Sequence, residues 1–369
     1  MLGGREEMSS LFEVKAVDRD FYQQRLQDFL PDKIIDIHTH VWLDKFQSKQ
    51  PGECLRAVTW PHRVAEDNSI EDLMETYRLM FPNKKVVPLI FGSALSQRDD
   101  IHGGNKYVAE CAHKLRIPAL IFADPRWSEA EFEERIISGK FLGAKVYLTR
   151  SDPRIPEQDI QIYDFLPHHQ LKVLDRRGWI VMLHIPRPAR LRDTLNLVQI
   201  IQIEKRYPNL KMIIAHVGRA YCPEDIGDAF KILGETQKTV FDISANTCAE
   251  TFEQAIRAVG PGRILFGSDL PILRMRTRRI CEKGTYVNLV PRGLYGDVSG
   301  DPHLRELDAK DADSLTFFMY EELNAFRRAA LATGLSQSDL AAVFHGNAAK
   351  LLCEAGMPES FLSEGRESQ

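Results

Sequence analysis

Five side chains with the chemistry of metal ligands stand at the ends of short hydrophobic segments of this sequence. The first segment, "KIIDIHTH", ends in His38 and His40, which one residue separates. "IVMLH" ends in His184, "MIIAH" ends in His216 and "ILFGSD" ends in Asp269. Imidazole nitrogens and carboxylate oxygens are ligands that zinc, iron and manganese use in proteins. The sequence therefore predicts a metal site, provided that the fold brings these segment ends together.

The hydrophobic segments alternate with segments of helical spacing along most of the chain. Such short, nearly continuous apolar runs are typical of parallel strands that are buried on both faces. Eight parallel strands with crossover helices close into a (βα)8 TIM barrel, whereas a doubly wound open sheet would carry a glycine-rich phosphate loop that is absent after the first run. The predicted strands span residues 33–38, 85–91, 118–124, 141–148, 178–186, 210–217, 239–244 and 262–271.

A closed barrel would bring the five candidate ligands to one place. Residues two apart on a strand face the same side, so His38 and His40 point in the same direction. The carboxyl ends of barrel strands form the mouth where active sites of this fold lie. A single histidine at a strand end is more often a hydrogen-bonded structural residue than a ligand. The prediction of a metal site depends on all five occurring together, at strands one, five, six and eight.

The predicted organisation is a single domain over residues 1–369. Its parts are an N-terminal helical extension at 1–31, the barrel strands at 33–271, a capping loop at 272–311 and C-terminal helices at 312–369. Loops that are longer than about 15 residues and lack secondary structure are usually lids or binding loops. We therefore expect the segment 272–311 to cover the barrel mouth.

Composition excludes several kinds of partner. The formal net charge is -4, from 48 basic and 52 acidic residues, which argues against nucleic acid or an anionic membrane as a partner. No apolar run approaches the roughly 20 residues of a membrane span, and the first residues lack the apolar stretch of a signal peptide. We expect a cytoplasmic protein, and a homo-oligomer is expected from base rates. Reduced thiols without a CxxC pair are predicted for the cysteines at 54, 111, 222, 248, 281 and 353.

The strand-end motifs together resemble the amidohydrolase superfamily, and in particular its amidohydrolase 2 branch of metal-dependent barrel hydrolases. The resemblance implies that His38, His40, His184 and Asp269 hold the metal. It leaves His216 open, as a ligand of a second metal or as a catalytic or orienting group. It implies one or two divalent ions, zinc first, with manganese or iron as alternatives. The motifs that carry it are "DIHTH" at 36–40, "HIP" at 184–186, "AHVG" at 215–218 and "GSDLP" at 267–271.

Lys145, in "GAKVYL", lies near the mouth end of the predicted fourth strand. Some members of the superfamily carry a lysine at this place that is carboxylated by carbon dioxide and bridges two metals, whereas other members are mononuclear. An ordinary lysine that pairs with a site carboxylate or binds an anionic substrate is the alternative. Both roles remain open for Lys145.

The predicted reaction is hydrolysis of an amide, lactone or related bond. A divalent cation lowers the pKa of its water to about 7. Asp269 is the candidate general base, and His216 could stabilise the developing oxyanion. The same branch contains decarboxylases and hydratases that act on unsaturated or aromatic acids, and uronate isomerases are more distant relatives. A metal-binding protein without catalysis is the alternative from a different class.

Four further residues are candidate contacts of a small substrate that carries a carboxylate. Arginine is suited to bidentate binding of such a group. Arg187 and Arg219 closely follow the histidines of strands five and six, Arg292 lies in the predicted capping loop, and Trp42 follows the first strand. The plain alternative is that most of these arginines are solvated or pair with nearby carboxylates.

Overall fold

Eight parallel strands form the centre of the molecule. The computed structural model describes residues 11–48, 56 and 60–360. The first two strands pair with each other, and the other six pair in chain order. The strands are β1 (Lys33–His40), β2 (Lys85–Phe91), β3 (Ile121–Phe122), β4 (Gly143–Val146), β5 (Ile180–Leu183), β6 (Lys211–Ile214), β7 (Val240–Asp242) and β8 (Ile264–Leu265).

Backbone hydrogen bonds join the two groups of strands and close the barrel. Ile90 of β2 donates to the Pro118 carbonyl and accepts from the Leu120 amide, both at 3.0 Å, next to β3. Ile37 of β1 donates to the Phe266 carbonyl at 3.0 Å, next to β8. The predicted (βα)8 barrel is therefore confirmed. Several ladders are shorter than the predicted strands, because the apolar runs continue into the turns beyond the last paired residue.

Helices surround the barrel, and several of them begin at a serine or aspartate that caps the first turn. Ser69 caps the third helix through a hydrogen bond from the Asp72 amide to its Oγ at 3.1 Å. Within the described residues, no helix is long and apolar enough to cross a membrane. The helices are α1 (Ala16–Phe21), α2 (Trp60–Val64), α3 (Ile70–Met80), α4 (Ile101–Leu115), α5 (Glu129–Gly139), α6 (His168–Arg177), α7 (Thr194–Arg206), α8 (Ala229–Leu233), α9 (Ala249–Val259), α10 (Ala309–Ala312), α11 (Phe318–Thr333), α12 (Gln337–Ala341) and α13 (Asn347–Glu354).

The barrel interior is filled by apolar side chains from successive strands. Ile35, Ile37, Leu89, Met182 and Ile213 are all fully buried and belong to one cluster. Their burial closes the barrel below its mouth, as in other barrels of this type. Polar strand-end side chains therefore lie above a dry floor.

Residues 272–311 form a small sheet instead of the predicted capping loop. In this sheet, called the cap sheet below, β9 (Arg278–Glu282) is antiparallel to β10 (Thr285–Pro291), and β10 is parallel to β11 (Leu304–Leu307). Lys283 and Gly284 connect β9 to β10 with φ angles of 51° and 74°. Two successive positive φ angles are the signature of a type I′ hairpin turn, which the polar, arginine-rich sequence does not reveal.

One face of the cap sheet carries residues from both β9 and β10. Arg279 lies opposite Asn288 and Cys281 lies opposite Tyr286 in the antiparallel register. Directly opposed residues, and residues two apart on a strand, share a face. All four side chains therefore lie on the same face, and their contacts with the barrel loops are described below.

Cys222 and Cys281 form a disulfide, so the prediction of reduced thiols is wrong for this pair. The two residues are 59 positions apart, and no sequence pattern marks them as partners. The bond joins the segment after β6 to β9 of the cap sheet. Cys54 lies outside the described residues. The free cysteines are Cys111, Cys248 and Cys353.

Candidate metal centre

A compact group of potential metal donors lies at the barrel mouth. One ligand atom each from His38, His216 and Asp269 lies within 4.8 Å of the others. His40 extends the group, because its Nε2 is 3.2 Å from Asp269 Oδ1, and His38 Nε2 is 3.4 Å from the same oxygen. The fold thus brings the side chains from strands one, six and eight together. These residues, together with His184, are called the metal-donor group below.

Three of these histidines are oriented in the same way, by a hydrogen bond at Nδ1. An oxygen that accepts from Nδ1 holds the proton there and leaves the Nε2 lone pair for a cation. The acceptors are Asp242 Oδ2 for His38 at 2.9 Å, the Gly92 carbonyl for His40 at 3.0 Å and the Ser244 carbonyl for His216 at 3.1 Å.

His184 differs from the other three, because its buried Nδ1 has no hydrogen-bond partner among the described residues. Its ring lies 5.3 Å from the His216 ring and 4.5 Å from the Tyr147 ring, measured between centroids. A buried polar atom without a partner costs about 1–3 kcal/mol. The orphaned nitrogen beside the other donors is what a ligand to a cation requires, so the residues fit a metal ion.

Burial sets the charge states that a cation needs from its ligands. It lowers the pKa of His38 to about 3, and it lowers the pKa values of His184 and His216 as well. These imidazoles are therefore neutral near pH 7. Burial alone would raise the pKa of Asp269, but the hydrogen bond with His40 and the nearby histidines lower it below its ordinary value. Deprotonated histidines and an ionised carboxylate are the forms that bind metals.

Lys145 lies inside this group and is 1% exposed. Its Nζ is 3.3 Å from His38 Nε2. Burial lowers the pKa of Lys145 to about 8, although Asp269 and Asp242 favour its charged form. At such a pKa about a tenth of the amine is neutral at pH 7, far more than for an ordinary lysine.

Asp242, at the end of β7, was not singled out from the sequence. Its Oδ2 accepts from His38, and its Oδ1 accepts from the His216 amide at 2.9 Å. Burial alone would raise its pKa, but the electrostatic interaction and the hydrogen bond with His38 hold the pKa below the ordinary value. Asp242 is therefore a buried carboxylate that positions two donors. The sequence could have indicated Asp242, because "TVFDIS" places an acidic residue near the end of a predicted strand.

The chain leaves β6 in an unusual backbone conformation. His216, Val217, Gly218 and Arg219 have φ angles of 58°, 45°, 63° and 60°, and Asp269 has 58°. Left-handed conformations cost non-glycine residues about 1–2 kcal/mol each. Such strain persists where the surrounding structure requires it, typically at functional sites. Here it accompanies the turns that follow two of the donors.

A cavity of about 890 Å³ opens above the metal-donor group. Arg219, one of the four predicted substrate contacts, is among its lining residues. The cap sheet forms part of its wall through Arg279 and Tyr286. Tyr221 and Trp60 also line it, and neither was among the predicted contacts. The alternation of β9 and β10 was the signal that could have located the two cap-sheet residues.

Three predicted substrate contacts are absent from the residues that line the cavity. Each of the three is bonded to a partner elsewhere. For the two arginines this partner is a carboxylate, which is the alternative given in the sequence analysis. Arg187 pairs with Asp193 at 3.0 Å, Arg292 pairs with Asp308 at 2.6 Å on the outer surface, and buried Trp42 donates to the Glu66 carbonyl at 2.9 Å.

Comparison with solved structures shows the same fold. A zinc-bound amidohydrolase from Burkholderia multivorans is 15% identical, with a TM-score of 0.54 and coverage of 88% of this chain and 99% of that chain. A probable 2-pyrone-4,6-dicarboxylic acid hydrolase from Acinetobacter baumannii, with citric acid bound, is 13% identical, with a TM-score of 0.52 and coverage of 87% and 99%. A dihydroxybenzoic acid decarboxylase from Polaromonas, with manganese and 2-nitroresorcinol bound, is 17% identical, with a TM-score of 0.50 and coverage of 88% and 97%.

Family membership follows from a different comparison. No curated protein matches the chain. A model of the amidohydrolase family, however, matches residues 35–352. The match extends from β1 to the last helix and includes every candidate metal donor. The chain therefore belongs to the amidohydrolase family.

Proposed function

We propose that this protein is a metal-dependent hydrolase that cleaves an amide, lactone or related bond in a small substrate with a carboxylate. The observation that carries the proposal is the group of neutral, buried imidazoles beside ionised Asp269 at the floor of an open cavity. We propose one or two ions, with zinc first and manganese or iron as alternatives. The zinc and manganese in two similar structures support this choice.

The residues of this chain divide the work of the proposed reaction. When bound, the cation would supply Lewis acidity and an acidified water. Asp269 accepts the proton of the attacking water and returns it to the leaving group. The Nδ1 bond of His216 to Ser244 favours a ligand role, because a neutral imidazole with its proton on Nδ1 offers a lone pair at Nε2 and no donor for an oxyanion.

Decarboxylation or hydration of an unsaturated or aromatic acid is the second candidate function. The cationic lining of the cavity supports any reaction of an acid, with or without hydrolysis. The experiment that tests both candidates is metal analysis of the purified protein, followed by turnover measurements on a panel of lactones, amides and aromatic acids. Hydrolysis of a lactone or amide supports the first candidate, and release of carbon dioxide supports the second. Tight metal binding without any turnover would contradict both.

Lys145 has two proposed roles at this centre. A depressed pKa and a contact with His38 favour reaction of the neutral amine with carbon dioxide to give a bridging carbamate. An unmodified lysine that binds the acid group of the substrate is the alternative. Crystallographic density beyond Nζ, between two metal ions, would support the carbamate. A bare lysine beside one fully occupied metal would reject it.

We also propose a cytoplasmic location and a homo-oligomer. The Cys222–Cys281 disulfide stands against the location, because such bonds are rare in the cytosol. Thiol titration of protein that is alkylated at lysis tests this point. If both cysteines are alkylated in freshly lysed cells, they are reduced in the cell, and this result would support the cytoplasmic location.

A further inference from the structure

Arg279 points from the cap sheet to the cavity and has no carboxylate partner in the described part of the chain. Its Nε donates to Asn288 Oδ1 at 2.9 Å, and its Nη1 donates to the Ala245 carbonyl at 2.6 Å. These two bonds hold the guanidinium and leave Nη2 without an acceptor among the described residues. Burial lowers the pKa of Arg279, but a guanidinium stays protonated in proteins.

A buried acid near Arg279 does not neutralise it. Glu322 of α11 is fully buried, and burial, reinforced by the charges of Asp36 and Asp242, raises its pKa well above the ordinary value. Neither of its carboxyl oxygens has a hydrogen-bond partner among the described residues, so Glu322 does not pair with Arg279. The positive charge of Arg279 is thus uncompensated at the cavity wall.

Arg219 is a second cation of this wall without a carboxylate partner among the residues that the structure describes. Its Nη1 donates to the carbonyls of Ile185 at 3.3 Å and Pro186 at 3.1 Å. Arg219 also acts electrostatically on His184, which places this charge on the metal side of the cavity. By contrast, Arg190 pairs with Asp225 at 2.6 Å and is neutralised.

Two tyrosine rings contact both Arg190 and Arg279. The rings of Tyr221 and Tyr286 are 5.0 Å apart, and Arg279 Cζ lies 4.7 Å and 4.5 Å from their centroids. Arg190 Cζ lies 5.4 Å and 5.0 Å from the same centroids. We call these five residues, including Arg219, the arginine–tyrosine wall. Because the Tyr286 ring is stacked on His303 at 4.2 Å, the partly exposed Tyr221 presents the aromatic surface that suits a planar carbon frame, and the free guanidinium edges suit carboxylates.

We propose that the arginine–tyrosine wall selects a planar dicarboxylate, with one acid group bound by Arg219 and the other by Arg279. This inference rests on the proposed function, which requires only one acid group. The two charges belong to different elements, the turn after β6 and strand β9 of the cap sheet, so each can bind a carboxylate of its own, and the binding of a compact phosphate tests whether they share one anion instead. Arg279 is then the residue that distinguishes a diacid from a monoacid.

Calorimetry on the metal-loaded protein tests this inference with simple probes. Isophthalate carries two carboxylates on a flat ring, benzoate carries one, and phenyl phosphate carries a compact dianion. We expect wild-type protein to bind isophthalate about 10- to 100-fold more tightly than benzoate, because a hydrogen bond to a charged group contributes about 1.5–3 kcal/mol. Arg279→Gln should lose this preference, and Arg279→Lys should retain part of it.

Arg278→Gln is the matched control, because Arg278 is the exposed neighbour on the same strand and pairs with Glu321. It should keep the wild-type preference. Equal binding of isophthalate and benzoate by the wild type would overturn the inference. So would an unchanged preference in Arg279→Gln or Arg279→Lys, or tighter binding of phenyl phosphate than of isophthalate.

The inference and the proposed function can fail separately. A protein that holds its metal and turns over a monocarboxylate, but does not prefer isophthalate, contradicts only the inference that the substrate is a dicarboxylate. A protein that prefers isophthalate but holds no metal contradicts the proposed function alone. Metal analysis of each calorimetry sample therefore decides which of the two is wrong.

Discussion

The metal-donor group and the arginine–tyrosine wall face the same cavity but are built in opposite ways. Three of the donors, His38, His184 and His216, are buried and neutral. The wall is cationic, because Arg219 and Arg279 are held by carbonyls, one amide and aromatic rings and not by carboxylates. The first arrangement suits a fixed cation, and the second suits an exchangeable anion. The contrast teaches that chemistry and recognition occupy different structural elements of this molecule.

The elements that carry the two regions explain the contrast. His38 and His40 lie on β1, and the other donors lie just beyond the ends of β5, β6 and β8, where the strand ladders and the strained turns fix their positions. The wall is formed by turns after β5 and β6 and by the cap sheet, which is an addition to the eight-stranded barrel. Barrel enzymes generally vary specificity through such segments and keep catalytic groups at strand ends. Substitutions in the two regions should therefore affect different measurable quantities.

Removal of the metal should have the largest effect. The double substitution His38→Ala and His40→Ala should abolish metal binding and reduce turnover by at least about 10⁴-fold, since enzymes accelerate reactions by 10⁶-fold or more. Elemental analysis measures the metal, and circular dichroism checks that the barrel stays folded. A folded double variant with wild-type metal content would exclude the metal-donor group as the metal site.

Asp269→Asn should have the next largest effect, and it should change kcat more than KM. General acid–base catalysis contributes about 10²- to 10⁴-fold, so kcat should fall by that factor while KM changes much less. Steady-state kinetics on the best substrate of the panel measures both constants. Turnover close to wild type would show that another group handles the proton.

Asp242→Asn should weaken metal binding without removing it. The change deprives the His38 Nδ1 of its carboxylate acceptor, and loss of such a partner typically costs about 10- to 100-fold in metal affinity. Competition with a chelator measures the affinity. Asp228→Asn, at an exposed aspartate that pairs with Lys231, is the control and should leave it unchanged. Equal affinities in the two variants would mean that Asp242 is only structural.

Loss of the disulfide should have the smallest effect, and it should change substrate binding at the arginine–tyrosine wall. Cys281→Ser frees β9 from the segment that carries Tyr221, so Arg279 and Tyr221 must be ordered by the substrate. The expected rise in KM is about two- to tenfold, equivalent to roughly 0.5–1.5 kcal/mol of ordering. Cys353→Ser, at a free cysteine, should not change KM. A fall in metal content in Cys281→Ser would show that the two regions are coupled.

The sequence by itself determined the barrel and the positions of its donors. Apolar runs of strand length, separated by helical segments, are a local signal, and all eight correspond to observed strands. In a parallel barrel the carboxyl strand ends meet at one mouth, whatever the details of packing. The convergence of His38, His216 and Asp269 therefore followed from topology. The position of Arg219 in the lining followed from its place just after β6.

Only the tertiary structure decided which polar residues of the turns and the cap face the cavity. Arg187 and Arg292 formed ion pairs elsewhere, whereas Arg279 turned inward, because the register of a two-residue hairpin set its face. The pairing of Cys222 with Cys281 joins residues that are 59 positions apart. Such outcomes depend on the direction of single side chains and on distant neighbours. A pattern of residue types along the chain contains neither the direction of a side chain nor the identity of its distant neighbours. The burial of strands and helices, by contrast, produces a spacing of apolar residues that the sequence shows directly.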